Sequence, residues 1–215
     1  MNFLLECQAF CHFLNWPIRL LKSECHNAPS QRGALTYMSI QLLIDSHCRQ
    51  GTLRPWEPLL PGRHMRIIHI ASHLYEEIMG ATSDTYRMGL LRSDLDHFCS
   101  GGIITVGHGR ESTCRMKPLD PSEDEVWEMR SRDPEPQVRV FGRFCAPDVF
   151  CATNAEYRPR LGDRAMSKWH GNNWPAEILR CKRIWEQLFP GQTPHAGNEV
   201  NDYITTDAHD LDKLS

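Results

Sequence analysis

No apolar stretch in this chain of 215 residues approaches the roughly 18 residues a bilayer-spanning helix needs. A basic leader is missing as well: the start, Met1-Asn-Phe-Leu-Leu-Glu-Cys7, carries an early acid, and its apolar run is interrupted by Glu6, Gln8 and His12. These absences give the expectation of a soluble, cytoplasmic protein without membrane attachment. There is no C-x2-C pair, no P-loop and no dinucleotide fingerprint, so the familiar zinc knuckles and nucleotide cradles are not indicated. No internal repeat is visible. Net charge is only -3, so no global basic field argues for nucleic acid, and any such case rests on local charge. What the chain does have is nine cysteines, which without a secretory leader indicate a reducing compartment more than a disulfide framework.

Organisation changes near Met65. Residues 1–64 mix Cys, His, Pro and Trp without a sustained period; short helices are possible over residues 3–14 and 38–48, with breakers at 27–33 and 54–62. This part reads as a poorly structured extension, or as sequence preceding a natural start at Met65. From there the pattern is orderly: a strand over Arg66–Ile70, a helix capped by Ser72 and running to Met79, a helix over residues 85–98 closed by Ser100-Gly101-Gly102, and a buried strand over residues 103–106. The strongest helical period lies over residues 174–189, where Ile178, Cys181, Ile184 or Trp185 and Leu188 recur before Pro190-Gly191. Residues 65–190 are therefore expected to form one compact α+β domain, followed by an acidic, flexible tail over 191–215.

Between these helices lie two arginine-studded strands, residues 126–132 and 138–144, joined by a proline-rich turn. Trp127 and Met129 alternate with Arg130 and Arg132; Val138 and Val140 alternate with Arg139 and Arg143. Alternation across a strand puts apolar groups on a core and guanidinium groups on the other face, which suits phosphate. A third strand over residues 149–157 completes a meander. Charge is segregated in the same region: residues 130–183 hold eleven Arg or Lys against six Asp or Glu, whereas residues 111–128 hold six acids and two bases. A solvated surface of mixed sign is the plain alternative reading.

The order Lys117-Pro-Leu119, an acidic turn, Trp127-Glu-Met-Arg130, a short turn and Val138-Arg-Val-Phe141 resembles the central hairpin of the RelE/ParE toxin superfamily, closest to its phage-derived HigB branch. The resemblance runs from Lys117 to about Arg158. It implies a small antiparallel meander with helices packed on one face, and a metal-independent RNA-cleaving toxin acting on mRNA at the ribosome, without a cofactor, held silent by an antitoxin from a neighbouring gene. Family members that act on gyrase share the fold, so fold alone does not choose the target. The resemblance matches Arg130, Arg139, Arg143 and Arg158 to the family's basic sheet face, giving location and not assigned chemistry; the candidate site residues are Arg139, Arg143, Arg158 and His170 for catalysis and Arg130, Arg132 and Lys168 for RNA contact. For the general base Tyr157, His170 and Glu128 are all candidates; only His has an ordinary pKa near neutrality. The long N-terminal region and the acidic tail depart from the family pattern. A non-catalytic phage or mobile-element protein that binds a host protein through its sheet is the alternative, and a metal-dependent enzyme using the histidines is a third.

Other features have competing readings. Cys7, Cys11, His12, Cys25 and His26 have zinc-type donors at spacings that fit no familiar site. Gly107-His-Gly-Arg110 reads as a turn. Cys145 or Cys151 with His170 could make a nucleophilic pair, but a buried strand position is the expected place for Cys151. Trp169, Trp174 and Trp185 could stack on bases, with helical Trp185 expected in the core.

Overall fold

The computed structural model describes residues 31–59, 64–80, 85–108, 113–131, 137–162 and 173–213. The chain divides after Ala34, and the unit that begins at Leu35 holds the fold described here. Its elements are α1 (Gln31–Gln50), β1 (Leu53–Pro55), β2 (Ile67–Ala71), α2 (Ser72–Gly80), α3 (Thr85–Cys99), β3 (Ile104–Val106), β4 (Met116–Pro118), β5 (Trp127–Arg130), β6 (Val138–Ala146), β7 (Val149–Tyr157), α4 (Trp174–Leu188), α5 (Val200–Tyr203) and β8 (Ala208–Asp210). The strands form one 8-stranded mixed sheet in the order β1-β2-β7-β6-β5-β4-β3-β8. No helix among the described residues is long and apolar enough to cross a membrane.

The expected strand, helix pair and meander are present as the middle of this larger α+β sheet. β5, β6 and β7 run antiparallel, and β2 joins β7 in parallel with Ile68 beside Phe150 and Ile70 beside Ala152. Alternation along β6 sorts the side chains. Val138, Val140 and Phe144 enter a core with Trp127 and Met129 of β5, Phe150 and Ala152 of β7, and Leu74, Ile78, Leu91, Leu95 and Phe98 of α2 and α3. Phe141 and Cys145 point the other way. Phe141 meets Trp174, Ile178 and Cys181 of α4, while Cys145 and Cys151 pack with Trp185, Leu188, Phe189, Ile40 and Ile44. The expectation of helices on one face is thus corrected: α2 and α3 cover one face, α1 and α4 the other. The cause is that β6 carries apolar groups on both sides, Phe141 and Cys145 standing beside two arginines on one, its nine residues all buried, and a strand buried on both faces needs a helix layer on each.

Gly142 marks an irregularity in the β6–β7 pairing, where Thr153 is the extra residue on β7. A Cβ on Gly142 would lie 2.3 Å from the carbonyl oxygen of Cys151 and 2.5 Å from the Phe150 ring, so only glycine permits this approach.

Two boundaries differ from the sequence reading. The folded body does not begin at Met65: β1 pairs antiparallel with β2, Trp56 enters the main core, and Ile40, Ile44 and Leu53 are buried. Residues 1–30, including the Cys7–His26 donors, lie outside the described residues. Nor is the tail loose. Val200, Tyr203 and Ile204 are buried, the Tyr203 ring stacks 4.7 Å from Trp127, and β8 pairs in parallel with β3. The tail's overall acidity obscured this short apolar anchor.

Arg66, 1% exposed, ties these parts together. Its guanidinium donates to the carbonyls of Phe98, Gly102 and Thr206, and its Nε lies 3.7 Å from Asp148. Asp148, held at φ 62° in the β6–β7 turn, in turn accepts from Thr205.

Candidate anion-binding site

Residues two apart on a strand share a face, so Glu128 and Arg130 of β5 project together, on the side opposite Trp127 and Met129. The antiparallel register sets Arg139 directly across from Arg130, and Lys117 of β4 across from Glu128. Two like charges directly opposite are unfavourable unless something neutralises them. Glu128 does this. Its Oε1 accepts from Arg130 Nη2 at 2.6 Å and Nε at 2.8 Å, and its Oε2 lies 3.3 Å from Arg139 Nε.

The rest of the Arg139 fork is also occupied. Nη1 donates to the carbonyls of Ser131 and Val138, and Nη2 to Gln137 Oε1 at 2.6 Å. Arg130 Nη1 donates to Cys114 Sγ. The Glu128 side chain is 1% exposed, Arg139 8% and Arg130 12%. Burial lowers the Arg139 pKa to about 10; Glu128 opposes that shift, and the Arg130 and Arg158 charges add to it. Arg158 follows β7, half-buried, its guanidinium 5.7 Å from the Trp174 ring centre and donating to the carbonyl of Gly162.

Two of the predicted arginines, 130 and 139, therefore gather around one buried carboxylate, and Arg158 lies close enough for its charge to act on Arg139. The expectation of an open concave surface is corrected for Arg139, which is buried with both terminal nitrogens bonded within the protein. It is also corrected for Arg143. Although Arg143 shares the face of Arg139, as the four-residue spacing requires, it lies toward α4, 7% exposed, with Nη2 donating to the carbonyl of Asp124 and the guanidinium 5.6 Å from the Trp185 ring centre. It satisfies the carbonyl of Asp124, half-buried beside α4, where Lys182 also pairs with the Asp124 carboxylate. Arg132, Lys168, Trp169 and His170 lie outside the described residues.

Among the proposed bases, Glu128 is committed to two guanidinium groups. Tyr157 packs against the opposite core. Trp174 and Trp185 are buried at 5% and 1%, so stacking on bases gives way to packing on Phe141 and Phe189. Cys145 and Cys151 are buried thiols in contact with each other, and the Cys151 pKa is raised well above the ordinary thiol value by that contact and by burial.

Sequence reasoning treated Glu128 as a base and did not name Cys114, Ser131 or Gln137. The signal for Glu128 was available: an acid two residues before an arginine on a strand is placed to be its counter-ion.

No protein-family model, no curated protein and no solved structure matches the chain.

Proposed function

We propose that the chain is a RelE/HigB-like toxin that binds RNA at this arginine cluster and cleaves it through the RNA's own 2′-oxygen, under the control of an antitoxin encoded beside it. The observation that carries the reading is the pairing of Arg130 and Arg139 with a single carboxylate at one end of β5 and β6, with the charge of Arg158 close enough to act on Arg139. Guanidinium groups keep their charge through a reaction and stabilise a developing phosphorane electrostatically. Arg158 and Arg130, at the margin of the cluster, are the proposed phosphate ligands. Arg139 is fixed charge behind them. His170 is the proposed base, and Arg132 and Lys168 the proposed further contacts.

The test is induction in a bacterium with growth and RNA integrity followed together. Wild type should arrest growth and fragment mRNA; Arg158→Ala and His170→Ala should do neither while melting like wild type. Absence of both effects in wild type, or full toxicity in Arg158→Ala, refutes the reading. The burial of Arg139, with both terminal nitrogens already bonded within the protein, favours the second reading, a non-catalytic module that binds a host protein through its sheet. That reading predicts capture of a partner with no RNA cleavage in either protein.

A further inference from the structure

The parallel pairing of β3 with β8 aligns Val106 with Asp210. His108, two residues beyond Val106, consequently arrives beside Asp210 and the turn that follows it. His108 Nε2 stands 3.7 Å from Asp210 Oδ1, and donor atoms of His108, Asp210 and Asp212 all lie within 4.8 Å of one another. These donors come from elements about a hundred residues apart in sequence, brought together by a backbone ladder.

We propose that His108, Asp210 and Asp212 form a divalent-cation site whose preferred ion is zinc, independent of the arginine cluster. One imidazole nitrogen and two carboxylate oxygens are a donor set zinc accepts, and its tetrahedral bonds of about 2.0–2.2 Å require donors about 3.3–3.6 Å apart. The observed separations need only modest side-chain rotation to reach that range. The Asp210 side chain is 14% exposed, and its Oδ1 faces His108 and accepts from the backbone N–H of Asp212 at 3.1 Å. A sheltered carboxylate with a second carboxylate beside it gains from a cation. Nearby Lys213 pairs with Glu199 and also feels the Asp210 charge. A depression of about 260 Å³ lined by Glu199, Ala208, His209, Asp210 and Lys213 opens beside the site and admits the water that would complete the ion's shell. An imidazole donor favours zinc over magnesium, which prefers octahedral shells of oxygen. The ion would bridge the β3 end to the β8 end and so fasten the C-terminal segment to the sheet.

The experiment titrates zinc chloride into the chelator-treated full chain by calorimetry, with magnesium chloride as the comparison ion, on wild type, H108A, D212N and the neighbouring control H209A. Wild type and H209A should bind one more zinc than H108A and D212N, or bind it at least about tenfold more tightly, and magnesium should not compete. Any zinc held by other cysteines and histidines is common to all four proteins and cancels. Equal stoichiometry and affinity across the four, or no zinc uptake by wild type, overturns the site. Melting points without zinc are read alongside; if D212N does not fold, H108Q supplies the same comparison.

Discussion

Glu128→Gln isolates the charge at the centre of the arginine cluster without changing side-chain volume. In the native protein one carboxylate, 1% exposed, neutralises two guanidinium groups that strand pairing forces to face each other. Removing one partner of a buried ion pair typically costs about 3–5 kcal/mol, because the remaining charge is left buried without compensation. A glutamine oxygen still accepts one hydrogen bond, so the lower end, about 3 kcal/mol, is expected here. Against a total stability of about 5–15 kcal/mol that is a large fraction, and the urea midpoint should fall by on the order of 1 M or more. The decisive measurement is a double-mutant cycle with Arg139→Met. If Glu128 is the counter-ion of Arg139, then Arg139→Met is harmful in the wild-type background and much less so, or stabilising, beside Glu128→Gln. Equal costs in the two backgrounds, or a loss below about 1 kcal/mol for Glu128→Gln, would refute the account.

The same variant bears on the proposed function. Loss of the carboxylate makes the cluster one unit more positive, so a folded Glu128→Gln protein should hold RNA at least as tightly as wild type, and with a steeper salt dependence. Weaker binding by a folded variant would place the RNA elsewhere.

Local order was legible in the sequence where period and caps agree. The helix from Trp174, the helix opened by Ser72 and the strand ending at Tyr157 fall within a residue or so of the boundaries read from pattern. Burial of Trp127, Met129, Val138 and Val140 was legible too, all being 3% exposed or less. The face of Phe141 was not separable from that of Phe144, since a strand with large apolar groups on both sides gives no sign of which helix covers which. β1 and β8 are three residues each, too short to carry a period, and their pairing is set by partners far away in sequence. Arg66 reads as an ordinary surface arginine; only the meeting of α3, the C-terminal segment and the β6–β7 turn makes it a buried connector. The arginine pattern correctly gave the face and failed on accessibility, because the sequence between residues 111 and 128 shows an excess of acid without showing that Glu128 and the Asp124 carbonyl are what the arginines bind.

Trp127→Ala should cost about 3–5 kcal/mol, since the ring packs between Phe144 and Tyr203 at 3% exposure; a chemical-denaturation loss below about 1 kcal/mol would contradict that packing. Arg66→Met should release the C-terminal segment, because the carbonyls of Phe98, Gly102 and Thr206 lose their donor; limited proteolysis should then cut beyond residue 190 sooner than in wild type, and unchanged protection would refute the connector role. The last prediction concerns pH. His69 of β2 is 8% exposed, with Pro55 on one neighbouring strand and Cys151 on the other, and its Nδ1 is 3.9 Å from Cys48 Sγ. Burial lowers its pKa from 6.5 to about 4, with the Asp45 charge acting weakly in the opposite sense. Between those values the unfolded chain binds a proton that the folded chain refuses, so the stabilising contribution is complete above about pH 6.5 and is lost as pH falls toward 4. One proton corresponds to a slope near 1.4 kcal/mol per pH unit, or on the order of 3 kcal/mol across the window. His69→Gln removes the titration, so its stability should fall less steeply than that of wild type between pH 6.5 and 4, with the two curves parallel above pH 7. Parallel curves over the whole range would mean that His69 is protonated in the folded protein, and would refute its neutral burial beside Cys48.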